Sequence, residues 1–386
     1  MYGPLLGSLG ASALVVGAVT GAGEAAALIL RVVFGPLADR TRRYWTLTIS
    51  GYALTAVCVP LLAITPFLGG AGLVVASVLI LSERVGKAVR SPAKSTLLAE
   101  AAGQVGMGRG LGVHKALDQV GAFAGPLLVA GLIAVSADQI WPGLAALAGP
   151  GAVVMVLLVV TRRRMPADGA QHAGALATPA GVPAVKQRGG RQLWGLSMLW
   201  SELPAPFLRF AISTALCTAG LVTFGLISFV LVERDLIPTA GVPVLYAAAM
   251  AAGAIAALAT GETYDRLGPR VLLLLPMLVA AVPALAFSGS LAAVVIGVLV
   301  WGTAVGVQDS TVKALVADLV PRERRATAYG LFAGFQGAGA LVGGVAAGAL
   351  YEQSLAALVI VVAAVQLAAL ALLLQVVRNS PVQTRS

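Results

Sequence analysis

The hydropathy of the chain alternates between long apolar runs and shorter polar stretches. A helix needs about 20 apolar residues to cross the hydrocarbon core of a bilayer. Eleven runs are of about this length, and the pattern therefore predicts an all-α polytopic membrane protein. They cover residues 12–34, 46–68, 71–97, 108–136, 140–161, 205–232, 240–260, 271–288, 290–317, 325–350 and 354–377.

A long polar stretch separates these runs into two groups. It carries most of a cluster of cationic residues with Pro, Gly and Ala between them, and it has few β-branched or aromatic residues until Trp194. Such a composition is typical of a linker rather than a packed element. We therefore expect an N-terminal helical bundle over 1–161, a linker over 162–204 and a C-terminal helical bundle over 205–386.

The first ten residues, MYGPLLGSLG, are apolar but far too short to span a membrane. They are similar to the end of a first span whose beginning is missing. A misassigned start is the expected cause, and a chain that has only half of this helix is the alternative. The prediction is thus eleven full spans plus a truncated first helix.

Composition excludes several classes of protein. Apolar residues make up 59% of the chain and charged residues only 11%, whereas soluble domains have about 25% charged residues. The sequence is therefore neither a soluble enzyme nor a disordered chain. Cys58 and Cys217 both lie inside apolar runs, and the two His residues have no metal-ligand spacing. We expect no metal and no cofactor.

The basic residues indicate the orientation in the membrane. The net charge is +10, and the loops that hold the cations alternate with loops that hold almost none. Because cytoplasmic loops of membrane proteins are enriched in Lys and Arg, this bias predicts a cytoplasmic linker and C-terminus. It also makes the lipid bilayer, rather than nucleic acid, the expected partner of the cationic surface. Nothing in the sequence indicates an oligomer, and we expect a monomer in the cell membrane.

Two loops repeat each other. The first, GPLADRTRR, follows the run 12–34, and the second, GETYDRLGPR, follows the run 240–260. Each has Gly followed by Asp-Arg four and five residues later. A tight turn between two spans uses Gly for close backbone approach, and the Asp can cap the next helix. The matching positions are Gly35, Asp39, Arg40 and Arg43 in the first loop, and Gly261, Asp265, Arg266, Gly268 and Arg270 in the second.

These loops resemble the signature of the major facilitator superfamily, Gly-x-x-x-Asp-Arg-x-Gly-Arg-Arg/Lys. The second loop matches fully, while the first has Arg42 at the place of the second Gly. The stretches 83–100 and 108–126 are similar to a bacterial subgroup of that superfamily. The resemblance implies a transporter of two six-helix bundles that rock about a central site, in a bacterial inner membrane.

Charged residues inside the runs are candidates for function, because a charge facing lipid costs several kcal/mol. Arg84 and Lys87 lie in the run 71–97, and we predict that they line a substrate cavity and attract an anion. Glu24 lies in the middle of the first full run, with Arg31 on the same helix face. Glu24 is a candidate proton carrier; the alternative is a permanent ion pair that holds two helices together.

The run 108–136 holds a second group of candidates. His114 and Asp118 are one helical turn apart and could relay a proton, or could tie the helix to a neighbour. Downstream, Gly121, Gly125 and Pro126 resemble the Gly-x-x-x-Gly-Pro core of the superfamily's antiporter signature, which is typical of exporters. The alternative for these glycines is a seam of close helix packing.

No nucleotide-binding loop and no catalytic constellation occurs, so the sequence predicts a transporter and not an enzyme. The favoured function is proton-coupled efflux of a small organic solute, possibly anionic, by alternating access. A symporter or a facilitator for nutrient uptake is one alternative. A membrane scaffold that moves no solute is another.

Overall fold

The structure is a computed structural model that describes residues 2–105, 107–164, 204–320 and 325–379. Over these ranges it consists of helices and contains no strand. The first half comprises α1 (Tyr2–Ser8), α2 (Ala13–Thr41), α3 (Tyr44–Leu61), α4 (Gly72–Val105), α5 (Met107–Val135), α6 (Ile140–Ala146) and α7 (Ala148–Arg164). The second half comprises α8 (Ala205–Gly220), α9 (Phe224–Glu233), α10 (Gly241–Leu267), α11 (Leu274–Ala286), α12 (Leu291–Leu319), α13 (Arg325–Gln353) and α14 (Leu355–Asn379). Short 3₁₀ segments cover Leu62–Phe67, Gly69–Ala71 and Gly268–Leu273.

The helices coincide with the predicted runs, and the all-α polytopic fold is confirmed. Among the described residues, nine helical segments are long and apolar enough to cross a membrane. The remaining two runs correspond to α4 and α5. The middle of α4 carries Glu83, Arg84 and Lys87, and the apolar part of α5 is the shorter Val120–Val135. The predicted linker lies almost wholly outside the described residues, and its role stays a prediction.

The ends of α2 follow local rules. The Ser12 hydroxyl accepts a hydrogen bond from the Val15 amide and caps the start of the helix. At the other end Arg42 adopts a left-handed conformation, with φ 51°, and its N–H donates to the Ala38 carbonyl. In the repeated loop, the equivalent residue is Gly268, which ends α10 with φ 66°. Both loops therefore reverse the chain through a positive φ at the same position of the repeat.

The run 205–232 is not one helix. It divides into α8 and α9 at Leu221–Thr223, where the backbone becomes extended. The Thr223 hydroxyl caps α9 by accepting the Leu226 amide, and the Val222 carbonyl accepts a hydrogen bond from Trp301 Nε1 at 2.8 Å. The side-chain and indole partners satisfy backbone groups that the break would otherwise leave bare inside the bundle.

The two halves meet mainly along α2 and α13, which approach closely through small residues. A Cβ on Gly17 would lie 2.2 Å from the Gly344 carbonyl oxygen, and a Cβ on Gly344 would lie 2.5 Å from the Gly17 carbonyl oxygen. Such contact is possible only without side chains, which is the reason that helix pairs in membranes use Gly at their seams. This seam brings the charged face of α2 to the boundary between the halves.

Candidate functional site

A large cavity lies between the two halves, with a volume of about 1550 Å³. Its walls come from α2, α4 and α5 on one side and from α8, α9, α10, α12 and α13 on the other. The cavity reaches Arg40 in the first repeated loop, and we call this end of the molecule the motif end. At the opposite end, α1 packs against α9, and Leu5 and Leu6 are fully buried.

The first-half wall of the cavity contains a charged cluster centred on Arg84. Arg84 Nη1 lies 3.1 Å from Glu24 Oε1, and Arg84 Nε lies 3.4 Å from Glu83 Oε2. The Tyr2 hydroxyl donates to Glu83 Oε2 at 3.3 Å, and the Tyr2 ring faces the Arg84 guanidinium at 5.7 Å. One guanidinium thus joins α1, α2 and α4 through two carboxylates.

The two carboxylates differ in their access to the cavity. The Glu24 side chain is 41% exposed and lines the cavity, whereas the Glu83 side chain is 10% exposed and is absent from the lining. Glu83 is held from two sides, by Arg84 and by Tyr2. Solutes and protons that enter the cavity therefore reach Glu24 directly, while Glu83 forms the fixed side of the cluster.

Two further cations line the same wall. Lys87 lies one turn after Arg84 on α4, and it makes no salt bridge to any residue that the structure describes. Arg31 lies on α2, two turns after Glu24, and its Nε atom is buried without a hydrogen-bond partner within the described ranges. Both groups can donate to a bound anion without breaking an existing ion pair.

The second-half wall is aromatic and mostly uncharged. The ring of Phe224 lies 4.9 Å from that of Tyr246 and 5.4 Å from that of Trp301, measured between centroids. Gln308 donates to the Thr218 hydroxyl at 2.6 Å, and both residues line the cavity. Asp309 is the acid on this wall. The cavity therefore has one cationic side and one side suited to a planar ring.

The structure brings together three of the predicted site residues, Glu24, Arg84 and Lys87, in the central cavity. Asp118 is exposed and lies outside the cavity lining, and the side chain of His114 lies outside the described residues. The proposed relay between these two residues stays a prediction. Its position is at least separate from the Glu24–Arg84 cluster in the lining.

The glycine motif of α5 forms no close helix contact. A Cβ on Gly121 or Gly125 would meet no atom within 4 Å, and Gly125 and Pro126 line the cavity. In the repeat, the equivalents of these glycines are Gly339 and Gly343 on α13. Those two do pack tightly, because a Cβ on them would lie 2.4 Å and 2.1 Å from carbonyl oxygens of α8. The packing seam expected at α5 is therefore found only in the second half.

The loop residues occupy the motif end. Gly35 and Arg40 line the cavity there, and Arg43 precedes the first residue of α3. In the second loop, Gly261 lies within α10, Arg266 pairs with Glu262 on the surface, and Arg270 lies in the 3₁₀ segment that follows. The side chains of Asp39 and Asp265 lie outside the described residues, so their gate role stays a prediction.

Sequence reasoning missed three members of the site. Tyr2 belongs to a ten-residue stretch too short to be read as part of a bundle, and Glu83 was visible only as one of several charges in α4. Trp301 and its aromatic neighbours had no signal beyond apolarity, because aromatic residues in spans are usually packing residues. The internal cations of α4 were the informative signal, and Glu83 is adjacent to them.

A helical membrane bundle with a charged cavity between two repeated halves is the architecture of a secondary transporter. The transporter class is therefore defined by the fold and the cavity together. The chain belongs to the Major Facilitator Superfamily, whose family model matches residues 1–236 and 235–386. This confirms the family resemblance of the repeated loops.

Relatives and solved structures agree with this assignment. The uncharacterized protein Rv2265 of Mycobacterium tuberculosis (strain ATCC 25618 / H37Rv) is 49% identical over 371 residues, which cover 96% of this chain and 86% of that protein. The uncharacterized protein Mb2288 of Mycobacterium bovis (strain ATCC BAA-935 / AF2122/97) matches to the same extent. The nucleoside transporter NupG has a similar fold, with a TM-score of 0.68, 17% identity and coverage of 98% of this chain and 94% of that chain.

A bacterial homologue of the iron transporter ferroportin, solved in an inward-facing state, also has this fold. Its TM-score is 0.57 at 15% identity, with coverage of 96% of this chain and 98% of that chain. At such identities the likeness shows the fold alone. The substrates of these two transporters therefore assign none to this chain.

Proposed function

We propose that this transporter carries a small organic solute through the central cavity and couples its movement to protons. The observation that carries the proposal is the Glu24–Arg84 pair in the cavity wall. A carboxylate that is partly open to the cavity and bonded to a cation can exchange its partner when a proton or a solute arrives. The unpaired Lys87 beside it favours an anionic solute.

Alternating access is supported by the contacts between the halves. At the end opposite the motif end, the Leu14 amide donates to Glu352 at 2.7 Å, and the Ala240 amide donates to Asp138 at 3.2 Å. These bonds join the halves at one end, while the cavity extends to the other. The basic loops place the motif end in the cytoplasm, so the structure corresponds to a cytoplasm-facing state of the cycle.

Export by proton exchange is the second candidate. It is favoured by the glycine and proline motif of α5, since Gly125 and Pro126 form part of the cavity wall. In an exchanger, a cationic solute would take the place of Arg84 or of a proton at Glu24. The two candidates differ in whether solute and proton move in the same direction.

Transport is tested with the purified protein in liposomes that contain a pH-sensitive dye. We expect solute-dependent proton movement that Glu24→Gln abolishes, because an amide cannot carry the proton. Glu233→Gln is the matched control, since Glu233 is exposed in a loop-facing turn outside the central cavity. Normal proton movement with Glu24→Gln would remove Glu24 from the mechanism. A folded protein that moves no solute and no proton would instead favour the membrane scaffold.

A further inference from the structure

The inference concerns what the cavity binds, and it rests on the proposed function. We propose that the cavity binds an organic monoanion with an aromatic ring together with one proton. The anion takes the place of Glu24 on the Arg84 guanidinium, and Glu24 takes up the proton. Solute and proton would then occupy the cavity together and cross the membrane in the same direction.

The geometry around Arg84 gives the first argument. A guanidinium has five N–H donors in a planar fork, and here one edge contacts Glu83 through Nε while Nη1 contacts Glu24. Glu83 is locked by the Tyr2 hydroxyl and is not part of the cavity wall. Glu24 is part of that wall and is therefore the partner that a solute carboxylate can displace. In this sense Glu24 is a built-in anion on the substrate site.

The charge balance gives the second argument. The charged groups that surround Glu24 come from α2, α4 and α12, with Tyr2 of α1 and Tyr246 of α10 as its other titratable neighbours. With Glu24 itself, they comprise three acids and three bases, namely Glu24, Glu83, Asp309, Arg31, Arg84 and Lys87. The cluster is thus neutral. An added monoanion would leave one uncompensated negative charge in a low-dielectric site, and a proton on Glu24 restores neutrality.

The same balance disfavours a cation as the solute that binds with a proton. A cation would make the cluster positive, and protonation of Glu24 would add to that charge. A cation could bind only when Glu24 is deprotonated, so it would exchange with the proton rather than accompany it. The charge of the solute therefore decides the sign of the coupling at this site.

The opposite wall indicates the body of the solute. Phe224, Tyr246 and Trp301 form a cluster of rings on the cavity surface, and Tyr246 lies within electrostatic range of both Arg84 and Glu24. A carboxylate at Arg84 thus places the adjoining part of the molecule toward these rings. Edge and face contacts between aromatic rings favour a planar ring over an aliphatic one.

The test measures protons and ligand binding on the detergent-purified full chain. The probes are benzoate and 2-naphthoate, cyclohexanecarboxylate as the non-aromatic acid, and benzyltrimethylammonium as the cation. Binding is followed by calorimetry in two buffers of different ionisation enthalpy, which gives the number of protons taken up. We expect about one proton taken up per aromatic acid, and an affinity that rises about tenfold for each unit of decrease in pH while Glu24 is ionised.

Two variants separate the parts of the inference. Glu24→Gln mimics the protonated side chain, so it should bind benzoate with no proton uptake and with little dependence on pH. Phe224→Leu should reduce the preference for 2-naphthoate over cyclohexanecarboxylate by about threefold or more while proton uptake persists. Thermal unfolding of each variant without ligand verifies that it is folded.

The results distinguish this inference from the proposed function. Aromatic acids that bind with no proton uptake, or with uptake that Glu24→Gln retains, would overturn the inference and leave transport of an anion in place. Binding of benzyltrimethylammonium with proton release would overturn it in favour of exchange. Absence of binding by every probe, together with absence of proton-coupled flux in liposomes, would overturn the proposed function as well.

Discussion

At the scale of single residues, the first repeated loop departs from the superfamily signature in a way that the backbone explains. Arg42 occupies the place of the second signature glycine and has φ 51° and ψ 18°, which is the left-handed helical region. Gly268, its equivalent, has φ 66° and ψ −154°, a region that is essentially restricted to glycine. A side chain is thus tolerable in the first loop and strained in the second.

This difference predicts unequal effects of substitution on stability. Gly268→Ala should lower the free energy of unfolding by about 1–3 kcal/mol, although a Cβ there would meet no atom within 4 Å. Arg42→Gly should be neutral or stabilise the protein by up to about 1 kcal/mol. Thermal unfolding in detergent measures both. Gly261→Ala is the control in the same loop, because Gly261 is helical with open space around it; equal losses for Gly261→Ala and Gly268→Ala would contradict the backbone explanation.

At the scale of helices, the two halves use equivalent glycines differently. Gly125 of α5 and Gly343 of α13 lie 218 residues apart, at matching positions of the repeat. A Cβ on Gly343 would lie 2.1 Å from the Ala219 carbonyl oxygen, whereas one on Gly125 would meet nothing. The repeat therefore preserves the residue type, while the packing of neighbouring helices decides whether the residue is needed for contact.

We expect Gly343→Ala to lower the free energy of unfolding by about 1–3 kcal/mol, since α8 and α13 must move apart to admit the methyl group. Gly125→Ala should cause no loss of stability, and it should change the cavity wall only. The melting temperatures of the two variants provide the comparison. Gly334→Ala serves as a control on α13 itself, because a Cβ there also meets open space. Similar losses for Gly125→Ala and Gly343→Ala would mean that both glycines are packed in the membrane.

At the scale of the whole molecule, the balance between the two access states depends on few bonds across the halves. Glu352 accepts the Leu14 amide, and the Thr20 and Thr223 hydroxyls are 2.8 Å apart deeper in the seam. A hydrogen bond to a charged group contributes about 1.5–3 kcal/mol at most, and less when exposed, as here. Loss of one such bond can therefore shift the populations without unfolding the protein.

We predict that Glu352→Gln increases opening at the end opposite the motif end. A cysteine at Ser228, a residue that is fully buried near α1, reports this opening through labelling by a membrane-impermeant maleimide. Loss of about 1 kcal/mol would raise the open population, and thus the labelling rate, about fivefold. Glu233→Gln in the same background is the control and should leave the rate unchanged. An unchanged rate with Glu352→Gln would mean that this bond does not hold the halves together.

The sequence by itself determined the helices, the repeat and the family. A helix that crosses a membrane satisfies its own backbone hydrogen bonds, so its position follows from local length and hydropathy. The repeated loops and the charged α4 were visible for the same reason, because each is a short stretch of chain. Even the three central site residues, Glu24, Arg84 and Lys87, could be nominated, since charges inside spans are costly unless they face protein or water.

Only the tertiary structure decided how these residues are used. Glu24 and Arg84 are 60 positions apart, and their pairing depends on how α2 packs beside α4. The same applies to Tyr2 on Glu83, to the aromatic wall of the second half and to the open face of Gly125. Contacts between distant segments are set by the packing of the whole bundle, and no local pattern of sequence encodes them.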